Sequence, residues 1–331
     1  MPSNDNSGPN NVVRDLAKAL QNIILIDIYY LKEKSSKTIF GERKISLRDQ
    51  LPKGYDIYHS HMFLPDLFLF LNKFRNKNIK IISTVHQKDY HNLKFDYNSR
   101  LKALFISIAW RILWCKFNAI VYLSQSMYDY YNRGLCNKTK LIVPNGRSAL
   151  PERQKYDFLK NDTVYIGMMC KLTKRKNIVR LMEVLVKKIG VELIIAGDGP
   201  DLSDLKILTR NLGISERVHF LGMTSDIAKF YSSIDIFALA SFDEGLPLAL
   251  IDALAAGKPC LCSNIDVLKE YMLPTEVSFF DPNSTSSALS ALDVLLAAKE
   301  EFSDKSMHLY RTKFTSDQMA EKYLAIYKDL C

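Results

Sequence analysis

Residues Ser241 to Pro259 read SFDEGLPLALIDALAAGKP, a loop with a carboxylate near its tip that runs through glycine and proline into an apolar helix. Glu244 lies in the loop, and Asp252 follows eight positions later. Gly245 permits a tight approach, Pro247 fits a first helical turn, and Leu248, Leu250, Ile251 and Leu254 form a buried stripe. A helix that starts near Pro247 leaves backbone N–H groups around Leu246 without intrahelical partners. Such a terminus suits a phosphate, and the two carboxylates could hold sugar hydroxyls beside it. The same segment can also be read as an ordinary capped helix with acidic residues at its start.

Upstream, IGMMCKLTKRKNIVRLMEVL begins at Ile166 as a strand that ends in small residues, followed by a basic turn opening an amphipathic helix. Lys171 and Lys176 stand five apart in that turn. Alone, a basic turn reads as a solvated helix entrance. The next segment, VELIIAGDGPDLSDLKIL, runs an apolar strand from Val191 to Ala196 into Gly197-Asp198-Gly199-Pro200. The third glycine of a dinucleotide fingerprint is missing, which argues against a nicotinamide cofactor. Further apolar runs at Arg217 to Gly222 and Ile234 to Leu239 alternate with helical periodicity, so the sequence predicts parallel sheets with crossover helices.

The two carboxylates, with Gly257-Lys258-Pro259 after them, resemble the donor-sugar motif of the retaining glycosyltransferases of family 4, where two glutamates stand eight apart; here the second is Asp252, one methylene shorter. The basic turn is similar to the family's pyrophosphate grip, an arginine and a lysine, with Lys171 in the arginine's place and Lys176 in the lysine's. The Gly197 and Gly199 turn and the two later strands follow in family order across residues 164 to 282. In the N-terminal half, Thr84-Val85-His86 resembles the strand end whose histidine lies against the donor sugar, and His61 occupies a place where another histidine is common. Ala119 to Leu123 with Ser124, then Lys140 to Val143 with Pro144-Asn145-Gly146, continue the likeness, and Phe314 to Tyr327 resembles the family's last helix. Ser7 to Ala17 resembles the glycine loop and first helix, with Gly8 bringing the backbone close to donor phosphate.

The resemblance implies an α/β chain of GT-B type, two doubly wound Rossmann-like domains facing a central cleft. Residues 1–146 would form the acceptor-side domain, 147–161 a linker, 162–312 the nucleotide-sugar domain and 313–331 a helix crossing back to the first domain. It further implies transfer of a hexose, UDP-linked by preference, from a nucleoside diphosphate to a glycan or lipid-linked acceptor hydroxyl in assembly of a bacterial polysaccharide such as O-antigen or capsule. The implied donor-binding set is Gly8, Lys171, Lys176, Gly197, Gly199, Glu244, Gly245, Leu246 and Asp252, with His86, Glu244 and Lys176 catalytic. No Asp-x-Asp motif stands at a plausible strand end, so no metal or other cofactor is expected, and Lys171, Lys176 and the helix terminus would neutralise the departing diphosphate. An inactive nucleotide-sugar-binding relative is the alternative, and a GT-B phosphorylase lacks a recognisable pyridoxal-lysine context.

One expected element is missing. The glycine loop should follow a buried strand, yet only MPSNDN precedes it, too polar and turn-prone for the middle of a parallel sheet. The expectation is that roughly ten further residues upstream supply that strand.

The 331 residues, 47% hydrophobic, suffice for two cored domains. Residues 1–150 carry 23 Lys plus Arg against 11 Asp plus Glu, a net of +12, and residues 151–331 carry 22 against 25, a net of −3. Lys73, Arg75, Lys77 and Lys80 cluster after an apolar run, either as a membrane or acceptor patch or as a solubilising face. Arg100 to Lys116 mixes aromatic and basic residues at helical spacing; it could lie on a membrane surface, but a core helix is the preferred reading. The basic residues form no aromatic-interleaved pattern for nucleic acid, which argues against a nucleic-acid partner. Six scattered cysteines without metal-ligand spacing, no signal peptide and no spanning helix predict a cytoplasmic protein, with the inner face of the plasma membrane as a candidate surface.

Overall fold

The computed structural model describes residues 1–34, 41–90, 93, 99–132 and 141–331. The chain divides into two compact units, Met1–Arg147 with Phe314–Cys331, and Ser148–Lys313. Residues of the 147–161 segment beyond Arg147 thus belong to the second unit, where Arg153 and Tyr156 donate backbone N–H bonds to Ser232 and Ser233.

In the second unit β7 (Val164–Met169), β8 (Val191–Ala196), β9 (Val218–Gly222), β10 (Ile236–Leu239), β11 (Cys260–Ser263) and β12 (Ser278–Phe280) form one parallel sheet in the order β12-β11-β10-β7-β8-β9. The order reverses beside β7, the first strand, and in such sheets ligands gather beyond the strand ends at that point. Helices α5 (Ile178–Lys187), α6 (Leu202–Asn211), α7 (Ile227–Ser232), α8 (Leu248–Ala255), α9 (Asp266–Tyr271), α10 (Thr285–Ala297) and α11 (Lys299–Lys313) make the crossovers and the end of the unit. The continuous apolar strands predicted from Val191 and Ile234 are buried at almost every position, as a sheet covered on both faces requires. Ile166, Leu181, Leu185, Leu193, Ile236 and Leu292 are central to this core. Cys260 and Cys262 of β11 are fully buried free thiols.

The first unit has a four-stranded parallel sheet, β3 (Ile57–His61), β4 (Lys80–Val85), β5 (Ala119–Tyr122) and β6 (Leu141–Ile142), in sequence order. A separate parallel pair, β1 (Tyr29–Tyr30) and β2 (Arg43–Lys44), stands beside it. Helices α1 (Gly8–Leu20), α2 (Phe63–Arg75), α3 (Arg100–Trp114), α4 (Gln125–Tyr131) and α12 (Ser316–Leu330) pack around these sheets. Gly146 matters where α12 docks, because a Cβ there would sit 2.2 Å from the Thr315 carbonyl oxygen. Arg147 fixes the same junction by pairing with Asp15 and by a bridge to Thr315.

The polar start of the chain is not a strand of the four-stranded sheet, as its composition predicted. Met1 to Asn4 runs as a short irregular ladder along β1, with a parallel bridge between Ser3 and Lys32 and bonds from Leu31 and Lys32 back to Met1 and Pro2. It is held by side chains of α1: the Asn10 amide donates to Asp5, and the Arg14 guanidinium pairs with Glu42 and reaches the Asn4 and Asp5 carbonyls. Between this stub, β1 and β3 lies a cavity of about 470 Å³, lined by apolar residues including Leu16, Ile28, Ile57 and Phe68.

Two further expectations are corrected. The Arg100 to Lys116 segment is only half a core helix, since α3 buries Ala103, Ser107, Trp110, Leu113 and Trp114 but leaves Leu101 and Phe105 exposed. The cluster Lys73, Arg75, Lys77 and Lys80 is not a patch of four free cations, since the Lys73 ammonium bonds the Ile79 carbonyl and Lys80 reaches the Cys331 carbonyl at 3.0 Å. Arg75 and Lys77 remain exposed. Cys115 is disulfide-bonded, which the scattered spacing had not suggested. Among the described residues no helix is long and apolar enough to cross a membrane.

Candidate functional site

In the second unit the site is built at the ends of β7 and β10. The chain leaves β7 at Met169, passes Cys170 and Lys171, and makes one 3-10 turn, Lys174–Lys176, before α5. Asn177 joins the two with a left-handed backbone, φ 52°, tolerated by asparagine and held here by its side-chain bond to the Pro282 carbonyl at 2.9 Å. That kink turns the basic run towards the loop after β10, where Phe242 N–H donates to the Arg175 carbonyl at 3.0 Å.

Glu244 sits in that loop, 6% exposed. Lys176 Nζ donates to Oε1 at 2.5 Å and Arg175 Nη1 to Oε2 at 3.1 Å, while Arg175 also donates to the Asp243 carbonyl. Burial pushes the Glu244 carboxyl up, but the two cations outweigh it and hold the pKa at about 2. Folding therefore gains stability from this group above its ordinary range and loses it as pH falls from 4.5 towards 2, a contribution on the order of 3 kcal/mol at neutral pH. Acid unfolding followed by circular dichroism should accordingly show a transition in that window that Glu244→Gln flattens.

The structure also places each remaining candidate of this unit. Lys171 is exposed and has no ion-pair partner among the described residues. Gly197 and Gly199 face the basic loop's backbone, where an added Cβ would lie 1.9 Å from the Cys170 carbonyl oxygen and 2.2 Å from that of Leu172. They let the loop carrying Lys171 rest on the end of β8, with Leu172 N–H bonded to the Asp198 carbonyl at 2.9 Å. Gly245 and Leu246 are buried beside Glu244. Pro247 caps rather than begins the helix, which runs from Leu248, so the N–H groups of Leu248 and Ala249 precede the first bond, made by Leu250 to Pro247. Asp252 lies on α8, 3% exposed. Arg175 was missed by the sequence reading. The run Lys174-Arg175-Lys176 held the signal, but which two of the three adjacent cations meet the carboxylate depends on the 3-10 turn.

In the first unit, β3 and β4 align His61 with Thr84 and end in a stack of imidazoles. His61 Nδ1 and His86 Nε2 are 2.8 Å apart with rings stacked at 5.1 Å, and the His59 ring lies 4.4 Å from that of His61. His59 is fixed from both sides, by Tyr327 at 2.7 Å and by Thr84 at 2.8 Å. Burial drives the pKa of His86 and His59 down to about 3 and that of His61 well below its usual value, so all three are neutral. His86 keeps Nδ1 without a partner among the described residues, and a neutral imidazole suits a sugar hydroxyl better than a phosphate. Met62, directly after His61, holds φ 74°, a conformation a methionine adopts only when its surroundings enforce it. The strained Met62 and the left-handed Asn177 each adjoin a candidate residue. Gly8 begins α1 with open space where its side chain would stand.

A model described as glycosyl transferases group 1 matches residues 151–308, and one described as Glycosyltransferase Family 4 matches residues 22–148. The chain belongs to the family 4 glycosyltransferases. It is 28% identical over 340 residues to the O-antigen biosynthesis glycosyltransferase WclY of Escherichia coli, with 98% of this chain and 95% of that protein covered. It is 31% identical over 141 residues, 38% of this chain and 36% of the other, to the Escherichia coli UDP-Gal:alpha-D-GlcNAc-diphosphoundecaprenol alpha-1,3-galactosyltransferase. Among solved structures, Anabaena Alr3699/HepE in complex with UDP and glucose aligns with a TM-score of 0.80 at 14% identity, covering 99% of this chain and 98% of that one. This family 4 chain therefore has the GT-B type of fold that the sequence predicted.

Proposed function

We propose that this glycosyltransferase moves a hexose from a UDP-sugar to a hydroxyl of a glycan carried on a polyprenyl diphosphate, in bacterial O-antigen or related polysaccharide assembly, with retention at the anomeric carbon. The observation that carries the donor side is the buried, ionised Glu244 held by Arg175 and Lys176 beside the start of α8. An ammonium has three N–H groups, and Glu244 engages Lys176 at one oxygen, so Lys176 keeps capacity for a phosphate oxygen. With Lys171 and the N–H groups of Leu248 and Ala249, the loop offers more positive than negative charge, which suits a diphosphate leaving group. Glu244 would accept hydrogen bonds from sugar hydroxyls, and Asp252 would hold the ribose. The likeness to the Escherichia coli diphosphoundecaprenol galactosyltransferase and to the Anabaena complex with UDP and glucose supports a UDP-sugar and a lipid-linked acceptor.

In the step, the bond between the anomeric carbon and the diphosphate oxygen breaks, the bond to the acceptor oxygen forms on the same face, and the acceptor's proton passes to the leaving phosphate. No metal ion is assigned, because the cations are supplied by side chains. Transfer measured as released UDP should thus persist in excess chelator. Loss of activity there, restored by manganese or magnesium, would overturn the metal-independent reading. A lipid-linked acceptor also implies work at the cytoplasmic surface of a membrane.

A further inference from the structure

β3 carries His59-Ser60-His61, and the period of two along a strand puts both imidazoles on one face. The rings of His59, His61 and His86 form one stack whose two ends differ. At the α12 end both His59 nitrogens are taken: Tyr327 meets Nδ1, Thr84 Oγ1 meets Nε2, and the Thr84 hydroxyl in turn meets that of Tyr323 at 2.8 Å. At the other end His61 Nδ1 meets His86 Nε2 at 2.8 Å, and neither ring has a second hydrogen bond among the described residues. His61 is 2% exposed and His86 is partly exposed, so the stack is closed behind and open at His86. Buried imidazoles cost more than apolar side chains of similar volume unless their nitrogens are used, and the open end is the one that can take a ligand.

The contact also couples the protons of the two rings. A neutral imidazole carries one N–H and one bare nitrogen, and burial keeps His61 and His86 neutral. One hydrogen therefore lies between His61 Nδ1 and His86 Nε2. When His61 supplies it, His86 carries its own proton on Nδ1. When His86 supplies it, His86 Nδ1 is bare and the buried His61 carries an Nε2–H with no acceptor among the described residues. Orphaned buried N–H groups are rarer than under-used acceptors, which selects the first arrangement. We infer that His61 is a positioning residue for sugar transfer: its Nδ1–H fixes the tautomer and ring angle of His86, so that His86 presents an N–H donor to a hydroxyl of the reacting sugar. The effect on turnover rests on the transferase reading, whereas the hydrogen bond itself does not. His59, anchored by Tyr327 and Thr84, backs the His61 ring and keeps it from turning away.

Two substitutions separate this role from packing. His61→Phe keeps a ring in the stack but has no N–H, whereas His61→Asn loses the ring but carries its amide nitrogen on Cγ, as histidine carries Nδ1, and can still donate to His86. With UDP release in the presence of acceptor as the readout, His61→Phe is expected to lower kcat at least about tenfold, and His61→Asn to recover most of the loss. His86→Ala should cost as much as His61→Phe, and the double variant no more than His86→Ala alone, because His61 acts through His86. Nitrogen-15 magnetic resonance of the histidine rings in the unaltered chain, without substrate, should show His86 protonated at Nδ1, with a changed tautomer in His61→Phe. An active His61→Phe beside an impaired His61→Asn, an unaltered rate in His86→Ala, or His86 protonated at Nε2 in the unaltered chain would each overturn the proposal. Should neither substituted chain fold, the spectrum of the unaltered chain decides it. The expected tautomer without turnover contradicts the transferase reading alone, and turnover that His86→Ala reduces but His61→Phe does not contradicts the role of His61 alone.

Discussion

Lys176→Ala is expected to lower kcat/KM for transfer about a hundredfold, roughly 2.7 kcal/mol at the transition state, and to lower the melting temperature as well, because buried Glu244 loses one of its two cations. Lys176 donates to Glu244 at 2.5 Å while Arg175 holds the other oxygen, so removing Lys176 leaves the carboxylate paired but takes away the cation best placed to meet leaving-group charge. Lys176→Arg should restore only part of the loss, because a planar fork cannot take the place of a compact ammonium in a turn this tight. Glu244→Gln should cost at least about tenfold, and the double variant less than the product of the two, since the groups are in direct contact. A Lys176→Ala enzyme with an unaltered rate would remove the residue from the phosphate site. Asp252→Ala should act mainly on the KM for donor.

Gly197→Ala is expected to destabilise the protein by at least about 3 kcal/mol and abolish turnover with it. The backbone there has φ +133°, and an added methyl would lie 1.9 Å from the Cys170 carbonyl oxygen, which is backbone and has no rotamer by which to move aside. Relief requires the loop of Lys171 to lift off β8, breaking the bond between Leu172 and Asp198. Denaturant unfolding followed by tryptophan-independent circular dichroism should report the loss, because both tryptophans, Trp110 and Trp114, lie in the first unit. A Gly197→Ala protein as stable as the parent would show that the loop does not need this contact.

Much of this was legible in the sequence because it depends on local chemistry. Val191–Ala196 is a strand with the predicted bounds, and the helix after Pro247 starts one residue on, with proline as its cap. Periodicity and breakers fix such elements before any tertiary contact is made. Three things were not legible. Arg175 could not be chosen from Lys174-Arg175-Lys176 because the choice rests on a 3-10 turn and a left-handed Asn177. The lysines at 73 and 80 could not be recognised as tied down because their acceptors, the carbonyls of Ile79 and Cys331, carry no sequence signal. The outer face of α3 could not be told from a core face because the pattern shows apolar residues on both sides, and only the bonds of Trp110, Trp114 and Ser107 decide which is buried. His61 and His86, by contrast, were both visible at strand ends, but their direct contact at 2.8 Å required the register of β3 against β4.

If the side-chain cations around Glu244 drive sugar transfer from a nucleoside diphosphate, transfer proceeds without a metal ion and depends on Lys176. The most direct measurement is nuclear magnetic resonance of the full chain mixed with a UDP-hexose, a polyprenyl-diphosphate-linked sugar and excess chelator, following the anomeric proton of the transferred sugar together with UDP release. Stoichiometric UDP release and a product whose anomeric configuration matches that of the donor are expected, both formed about a hundredfold more slowly by Lys176→Ala. Binding of the UDP-hexose with neither transfer nor hydrolysis, or a product of inverted configuration, would contradict this mechanism.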